Sequence, residues 1–201
     1  MSKDSYHHGD LANALVDAAM AVVESDGADA LSLRDLAASL GVSRAAPYRH
    51  FADRDALLAA VAARGFEALA EIYRSADAGP GDGPTRVRKA MADYMAFAWS
   101  RSGLHRLMFE SDLLRRDPIP PVLAGPYQSV YALLWRTLSR AYPDAEEAWL
   151  KRRRVTMLST VVGFLVLDEA GRFTPEWAQP HLTRDDLVEA ILDTATGTVS
   201  S

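Results

Sequence analysis

Two short stretches with helical apolar spacing, separated by only three residues, constrain this chain more than any other feature. In the first, Leu33, Leu36, Ala37 and Leu40 fall on one face between Ser32 and Gly41. The Ser32 hydroxyl can serve as N-cap, with Asp35 three residues on, and Gly41 stops the helix. In the turn Gly41-Val42-Ser43 the glycine can take the left-handed conformation, Val42 can tuck inward and Ser43 can cap the next helix. That helix is predicted over about Arg44 to His50, short and distorted, because Pro47 has no N–H and crowds the preceding turn. The pair matches a helix-turn-helix unit.

The remainder reads as helix too. The 34 alanines and the scarcity of β-branched runs favour it, and no strand is convincing. Leu11, Leu15, Ala18, Ala19, Val22 and Val23 mark a first helix, with Asp10 at its start and Gly27 at its end. Asp53 can cap a fourth, running through Leu57, Leu58, Val61, Phe66, Leu69 and Tyr73. The segment Ser75 to Pro84, SADAGPGDGP, is predicted as a hinge or loop. Further helices are expected at about Thr85 to Ser100, Leu104 to Ser111, Pro126 to Ala141, Asp144 to Ala170 and Thr183 to Thr194. The four prolines between Asp117 and Pro126 read as a loop. The expected fold is all-α, with an N-terminal three-helix domain built on the helix-turn-helix unit over 1-55 and a second helical domain over 56-201.

Several function classes fall away. The net charge of -5, from 22 Lys plus Arg against 27 Asp plus Glu, argues against a protein that merely coats nucleic acid, so any basic surface must be local. The absence of cysteine removes disulfides, thiolate zinc sites and thiol nucleophiles, and fits a reducing cytoplasm. The polar start from Met1 to Asp10 does not read as a secretory signal. The longest apolar run, Val161 to Leu167, is far short of the roughly 20 residues that span a bilayer. No nucleophile–base pair, metal set or phosphate loop suggests an enzyme, and no cofactor is expected. His7 and His8 are adjacent rather than four apart, so with Asp10 they fit a phosphate-contacting arm better than a metal site.

The predicted third helix has the chemistry to meet DNA. A helix about 10 to 12 Å across fits the major groove, about 12 Å wide. Ala45 and Ala46 allow close approach, Arg44 and Arg49 can meet guanine edges or phosphates, and Tyr48 and His50 can donate to phosphates. From Ser43 to Arg54 there are three arginines against one aspartate. Yet residues 1–65 carry six basic and nine acidic residues, and on spacing alone a plain helical hairpin accounts for them equally well.

The segment Tyr6 to Val61 resembles the N-terminal domain of TetR-family (tetracycline-repressor-like) transcriptional regulators. The matching residues are Ser32-Leu33-Arg34-Asp35-Leu36-Ala37, the Gly41-Val42-Ser43 turn, Tyr48-Arg49-His50-Phe51, Asp53-Arg54 and Leu57-Leu58. Tyr6-His7-His8-Gly9-Asp10-Leu11 and Ala45-Ala46-Pro47-Tyr48 further resemble a subgroup whose C-terminal domain often carries a Trp-His-Gly motif. Here the corresponding stretch, Leu158 to Gly163, keeps only the glycine, and Arg54 stands where the family usually has lysine. The resemblance implies a cytoplasmic, nucleoid-associated homodimer that binds a double-stranded DNA operator. Contacts are expected from Ser32, Ser43, Arg44, Ala45, Tyr48, Arg49, His50 and Arg54.

It also implies an effector pocket in the second domain, where aromatic and methionine side chains gather. Tyr94, Phe97, His105, Met108, Phe109, Tyr127, Tyr131, Trp135 and Met157 are its candidates, although each could equally be core. The effector expected is a mostly apolar small molecule with one or two hydrogen-bonding groups that releases a repressor from its operator. The alternative is a second domain that only dimerises or binds a protein. Val155, Leu158, Val161, Val162, Leu165 and Val166 form a broad apolar face on one late helix, and Leu187 and Ile191 form one on the last. Together with Gly163, which permits close approach, they are expected to build the dimer interface. Lys151-Arg152-Arg153-Arg154 reads as a solvated collar paired to Glu146 and Glu147.

Overall fold

In the computed structural model, which describes residues 8–172 and 183–196, helices follow one another with no strand among the described residues. They are α1 (His8–Asp26), α2 (Leu33–Ser39), α3 (Arg54–Ala78), α4 (Gly83–Ser100), α5 (Ser102–Phe109), α6 (Pro121–Ala141), α7 (Glu147–Glu169) and α8 (Arg184–Thr196). No described helix is long and apolar enough to cross a membrane. Tyr6 and His7 lie outside the described residues, as does the side chain of His8.

The helices form two compact units. One comprises the residues up to 68 together with 101–128, and the other comprises 69–100 with 129–201. The helix-turn-helix module lies wholly within the first. That unit's core is the periodic set read from the sequence: Leu11, Leu15, Ala19 and Val23 of α1, Leu33, Leu36 and Ala37 of α2, and Leu57, Leu58 and Val61 of α3, all buried. α5 packs against α1 so closely that a Cβ on Gly103 would lie 2.2 Å from the Val23 carbonyl oxygen, so only glycine fits there.

In the second unit α8 packs on α7 and α4. Arg88 of α4 pairs with Glu189 and, at 2.6 Å, with Asp193 of α8. The Trp99 indole N–H donates to Asp168 of α7 at 2.9 Å. Buried Asp77, at the end of α3, receives Arg136 at 3.2 Å and Arg140 at 3.0 Å from α6.

Three expectations about segment limits need correction. The break predicted over Ser75 to Pro84 shrinks to the stretch between Ala78 and Gly83, because Ala76 and Asp77 are buried and hold the chain helical to Ala78. The proline loop is also shorter. Pro121 begins α6, where its missing N–H has no helical partner to lose, and Pro126 sits inside the helix, which continues past it. The third helix contracts to a single 3-10 turn, Pro47–Arg49. Pro47 cannot donate back to Ser43, whose carbonyl is instead taken by Ala46 N at 2.9 Å, while Arg49 N and His50 N close further three-residue turns.

Candidate nucleic-acid interface

The turn between α2 and the 3-10 segment is built by local chemistry. The Ser32 hydroxyl accepts from Asp35 N at 3.3 Å, so it caps α2 as its position in the sequence suggested. At the other end Val42 N donates to Ala37 O at 3.0 Å and Gly41 N to Ala38 O at 3.1 Å. This pair of bonds requires a left-handed residue at Gly41, whose φ is +67°. Val42 is half-buried, which anchors the turn and leaves the following residues outside.

Ser43, Arg44, Ala45, Tyr48 and Arg49 are exposed, and Ser32, His50 and Arg54 are half-buried. Tyr48 is 57% exposed, so its ring and hydroxyl are both open to a partner. Pro47 is buried beneath them and pins the segment to the core. The expected contact residues therefore gather on one short, outward-facing segment, apart from Ser32 and Arg54.

Arg54 is spent internally. Its Nε donates to Leu31 O at 3.1 Å and its Nη2 to Ala28 O at 2.5 Å. Those carbonyls belong to the link between α1 and α2, so the guanidinium ties that link to the start of α3 and holds the module's shape. Charged hydrogen bonds of this kind are worth about 1.5 to 3 kcal/mol each at most, less where solvent reaches them. Arg54→Met is accordingly expected to lower stability by about 2 kcal/mol, measured by urea unfolding. An unchanged midpoint would mean that the guanidinium holds nothing together.

The pairing of the arginines divides the first unit's surface. Arg64 meets Asp17 at 3.0 Å, Arg101 meets Glu24 at 2.6 Å, Arg115 meets Asp112 at 3.1 Å and Arg116 meets Asp55 at 2.5 Å. Arg34, Arg44 and Arg49 are exposed and have no ion-pair partner among the described residues. The carboxylates of this acidic chain neutralise arginines elsewhere in the unit and leave these three uncompensated. Arg34, in the first turn of α2, was absent from the contact set drawn from the sequence. Its exposure without a carboxylate is the signal, and sequence alone does not carry it.

The nine effector candidates divide between the units. His105, Met108, Phe109 and Tyr127 belong to the first, where Phe66 stacks edge-on to Phe109 at 5.3 Å and to Tyr127 at 5.4 Å. His105 is buried, 4.9 Å from the Phe109 ring, and burial lowers its pKa to about 4. Its unfolded value lies near 6.5, so the unfolded chain binds the proton more readily between about pH 4 and 6.5. The neutral ring's contribution is complete above about pH 6.5 and is lost as pH falls toward about 4, by an amount on the order of 3 kcal/mol. Urea unfolding at stepped pH should follow that loss, and His105→Asn should flatten it.

Tyr94, Phe97, Tyr131, Trp135 and Met157 belong to the second unit, where Tyr94, Phe97 and Met157 are buried and Tyr131 and Trp135 half-buried. An open groove of about 510 Å³ between α6 and α7 is lined by Tyr142, Pro143, Trp149 and Arg152 and by none of the nine. On the expected dimer face Val155, Gly163 and Val166 are exposed, and Leu158, Val162, Leu187 and Ile191 are half-buried. Val161 and Leu165 turn inward and are buried, whereas Leu167, 46% exposed, extends the outer patch. The basic run does not form a uniform collar: Lys151 pairs with Glu147 at 2.6 Å, but Arg153 lies over Trp149 and Arg154 over Tyr131 and Trp135.

Residues 15–61, which span the whole helix-turn-helix, match the family model described as bacterial regulatory proteins, tetR family. A Rhodococcus sp. RHA1 protein of unknown function is 29% identical, with a TM-score of 0.79 over 96% of this chain and 97% of its own. A TetR-family regulator from Streptomyces coelicolor is 16% identical, with a TM-score of 0.68 over 92% of this chain and 78% of its own. The TetR-family regulator PfmR from Thermus thermophilus is 17% identical, with a TM-score of 0.63 over 93% of this chain and 98% of its own. No curated protein matches the chain.

Proposed function

We propose that this chain, a DNA-binding transcriptional regulator of the TetR family, is a homodimeric repressor that holds a palindromic operator until a small molecule binds its second unit. The observation that carries the DNA-facing part is that Arg34, Arg44 and Arg49 have no ion-pair partner among the described residues of a chain of net charge -5. A cation with no internal carboxylate is available to phosphates and guanine edges, and it favours binding by releasing counterions from the duplex. Ser43, Ala45, Tyr48 and His50 complete the proposed contact surface, in which Arg49 and Arg44 would read bases and Arg34 and Tyr48 would meet phosphates. Ser32 and Arg54 act one step back, by fixing α2 and the link before it.

A two-fold dimer presents two copies of this segment, so its half-sites mirror each other with centres about 34 Å, or a multiple of that, apart. The exposed stripe of α7, with Val155, Gly163 and Val166, and the half-buried Leu187 and Ile191 of α8 support a closing four-helix contact between subunits. The effector reading rests on Tyr94, Phe97, Tyr131, Trp135 and Met157 in the second unit. α3 is one unbroken helix from Arg54 to Ala78, so displacing its end shifts its start. Because the two DNA-reading segments must keep one separation, a shift of a few ångströms breaks the fit. For that the effector has to prefer the DNA-incompetent state.

Selection of bound sequences from random duplex DNA tests the reading. A two-fold symmetric motif is the expected result, and enrichment without symmetry, or no enrichment, would remove the operator. Recovery of the motif with no ligand response would leave a second unit that dimerises or binds a protein. In the first unit Phe66 packs edge-on against both Phe109 and Tyr127, which supports a core role for those two aromatics.

A further inference from the structure

One buried hydroxyl in the second unit has no hydrogen-bond partner, and one half-buried guanidinium has no carboxylate partner, among the described residues. Tyr73 of α3 is 1% exposed, and its hydroxyl has no hydrogen-bond partner among the described residues. A buried phenol left in that state needs an explanation, because its lost hydration is not replaced. Its ring lies 6.5 Å from that of Tyr94 of α4, inclined at 70°. Burial, with Tyr94 and Tyr131 nearby, pushes its pKa up, so the hydroxyl stays protonated and acts as a donor.

The second group is Arg154 of α7. Its guanidinium carbon lies 5.8 Å from the ring centre of Tyr131 and 5.6 Å from that of Trp135, neighbours four residues apart on α6. It is half-buried and has no carboxylate partner among the described residues, whereas Lys151 three residues earlier pairs with Glu147. Stacking on aromatic faces occupies the plane of a guanidinium and leaves its N–H edge free for a planar, two-oxygen acceptor. Tyr131 carries Arg154 on its ring, and Tyr73 and Tyr94 meet edge-on in the same unit.

We infer that the effector is a small organic acid, its carboxylate accepting from Arg154, its apolar body against Tyr131 and Trp135, and a second acceptor receiving a hydrogen bond from the Tyr73 hydroxyl. This inference rests on the proposed small-molecule control and names its chemistry. The carboxylate supplies the counter-charge that no described carboxylate gives Arg154, and the second acceptor satisfies the buried phenol.

The test uses the full chain with three probes: 4-oxo-4-phenylbutanoate, which carries both features, its methyl ester, which lacks the charge, and octanoate, which lacks the second acceptor. Calorimetry should give the keto acid at least about 10-fold tighter binding than its ester, as expected for a charge-assisted pair. Arg154→Gln should erase that preference and Arg154→Lys should keep part of it. Tyr73→Phe should weaken the keto acid about 5-fold and leave octanoate unchanged. Equal binding of acid and ester, no binding of either acid, or an acid preference that survives Arg154→Gln would overturn the inference. Operator affinity measured on the same samples keeps the two readings apart. Release by an uncharged compound alone would preserve the repressor reading and remove the acid, while acid binding without release would do the reverse.

Discussion

Gly163→Glu is expected to convert the proposed dimer into a monomer and to cut operator affinity by about 100- to 10,000-fold, the advantage that linking two half-site contacts confers. Gly163 is exposed on α7, and a Cβ placed there meets nothing within 4 Å in its own subunit. The substitution therefore spares the fold, and any loss comes from what covers the helix outside the subunit. Val155 at 59% and Val166 at 42% exposure lie one turn or two away along the same helix, apolar surface that a monomer would leave wet. A carboxylate in the middle of that stripe would be buried without a partner on dimerisation. Light scattering gives the oligomeric state and Gly163→Ala controls for the loss of glycine. A Gly163→Glu protein that remains dimeric and binds DNA normally would move the interface off α7.

Arg49→Ala and Arg44→Ala should each weaken operator binding by about 1 to 3 kcal/mol per contact where the side chain reads a base, and should relax the preference at one position of each half-site. Tyr48→Phe should instead weaken all sequences alike, because a phosphate contact carries no base information. Among the described residues none of these side chains has an intramolecular ion pair to lose, so stability should stay unchanged, in contrast to Arg54→Met. Competition binding against single-base operator variants separates the outcomes. A uniform loss for both arginines would place them on the backbone.

Much of the DNA-facing module was legible in the sequence because its signals are local. The Ser32 cap, the Gly41 turn and the apolar spacing of α2 each need only their immediate neighbours, and each stands where the spacing put it. Pro47 gave the distortion of the next segment but not its extent, since a proline deletes a donor without fixing how the chain closes around the gap. The prolines before α6 mislead for a related reason. Proline reads as a breaker, although a first-turn position such as that of Pro121 suits it. Arg54 could not be read locally: its acceptors at Ala28 and Leu31 lie 26 and 23 residues back, and only folding brings them together. The same holds for the lack of a carboxylate partner at Arg34 and Arg154 among the described residues, which depends on where every carboxylate ends up. Aromatic composition identified a rich second half of the chain but could not assign Tyr127 and Tyr131, one helical turn apart, to different units.

The salt dependence of operator affinity tests most directly whether the unpaired arginines are the DNA surface of this acidic chain. Each arginine that neutralises a phosphate adds about 0.9 to the slope of log affinity against log salt concentration. Replacing Arg34, Arg44 and Arg49 together by alanine should lower that slope by about 1 for each one that meets a phosphate. Arg115→Ala, which removes an equally exposed arginine already paired with Asp112 at 3.1 Å, should leave the slope unchanged. A triple variant with the original slope, or an Arg115→Ala variant that lowers it as much, would contradict the account.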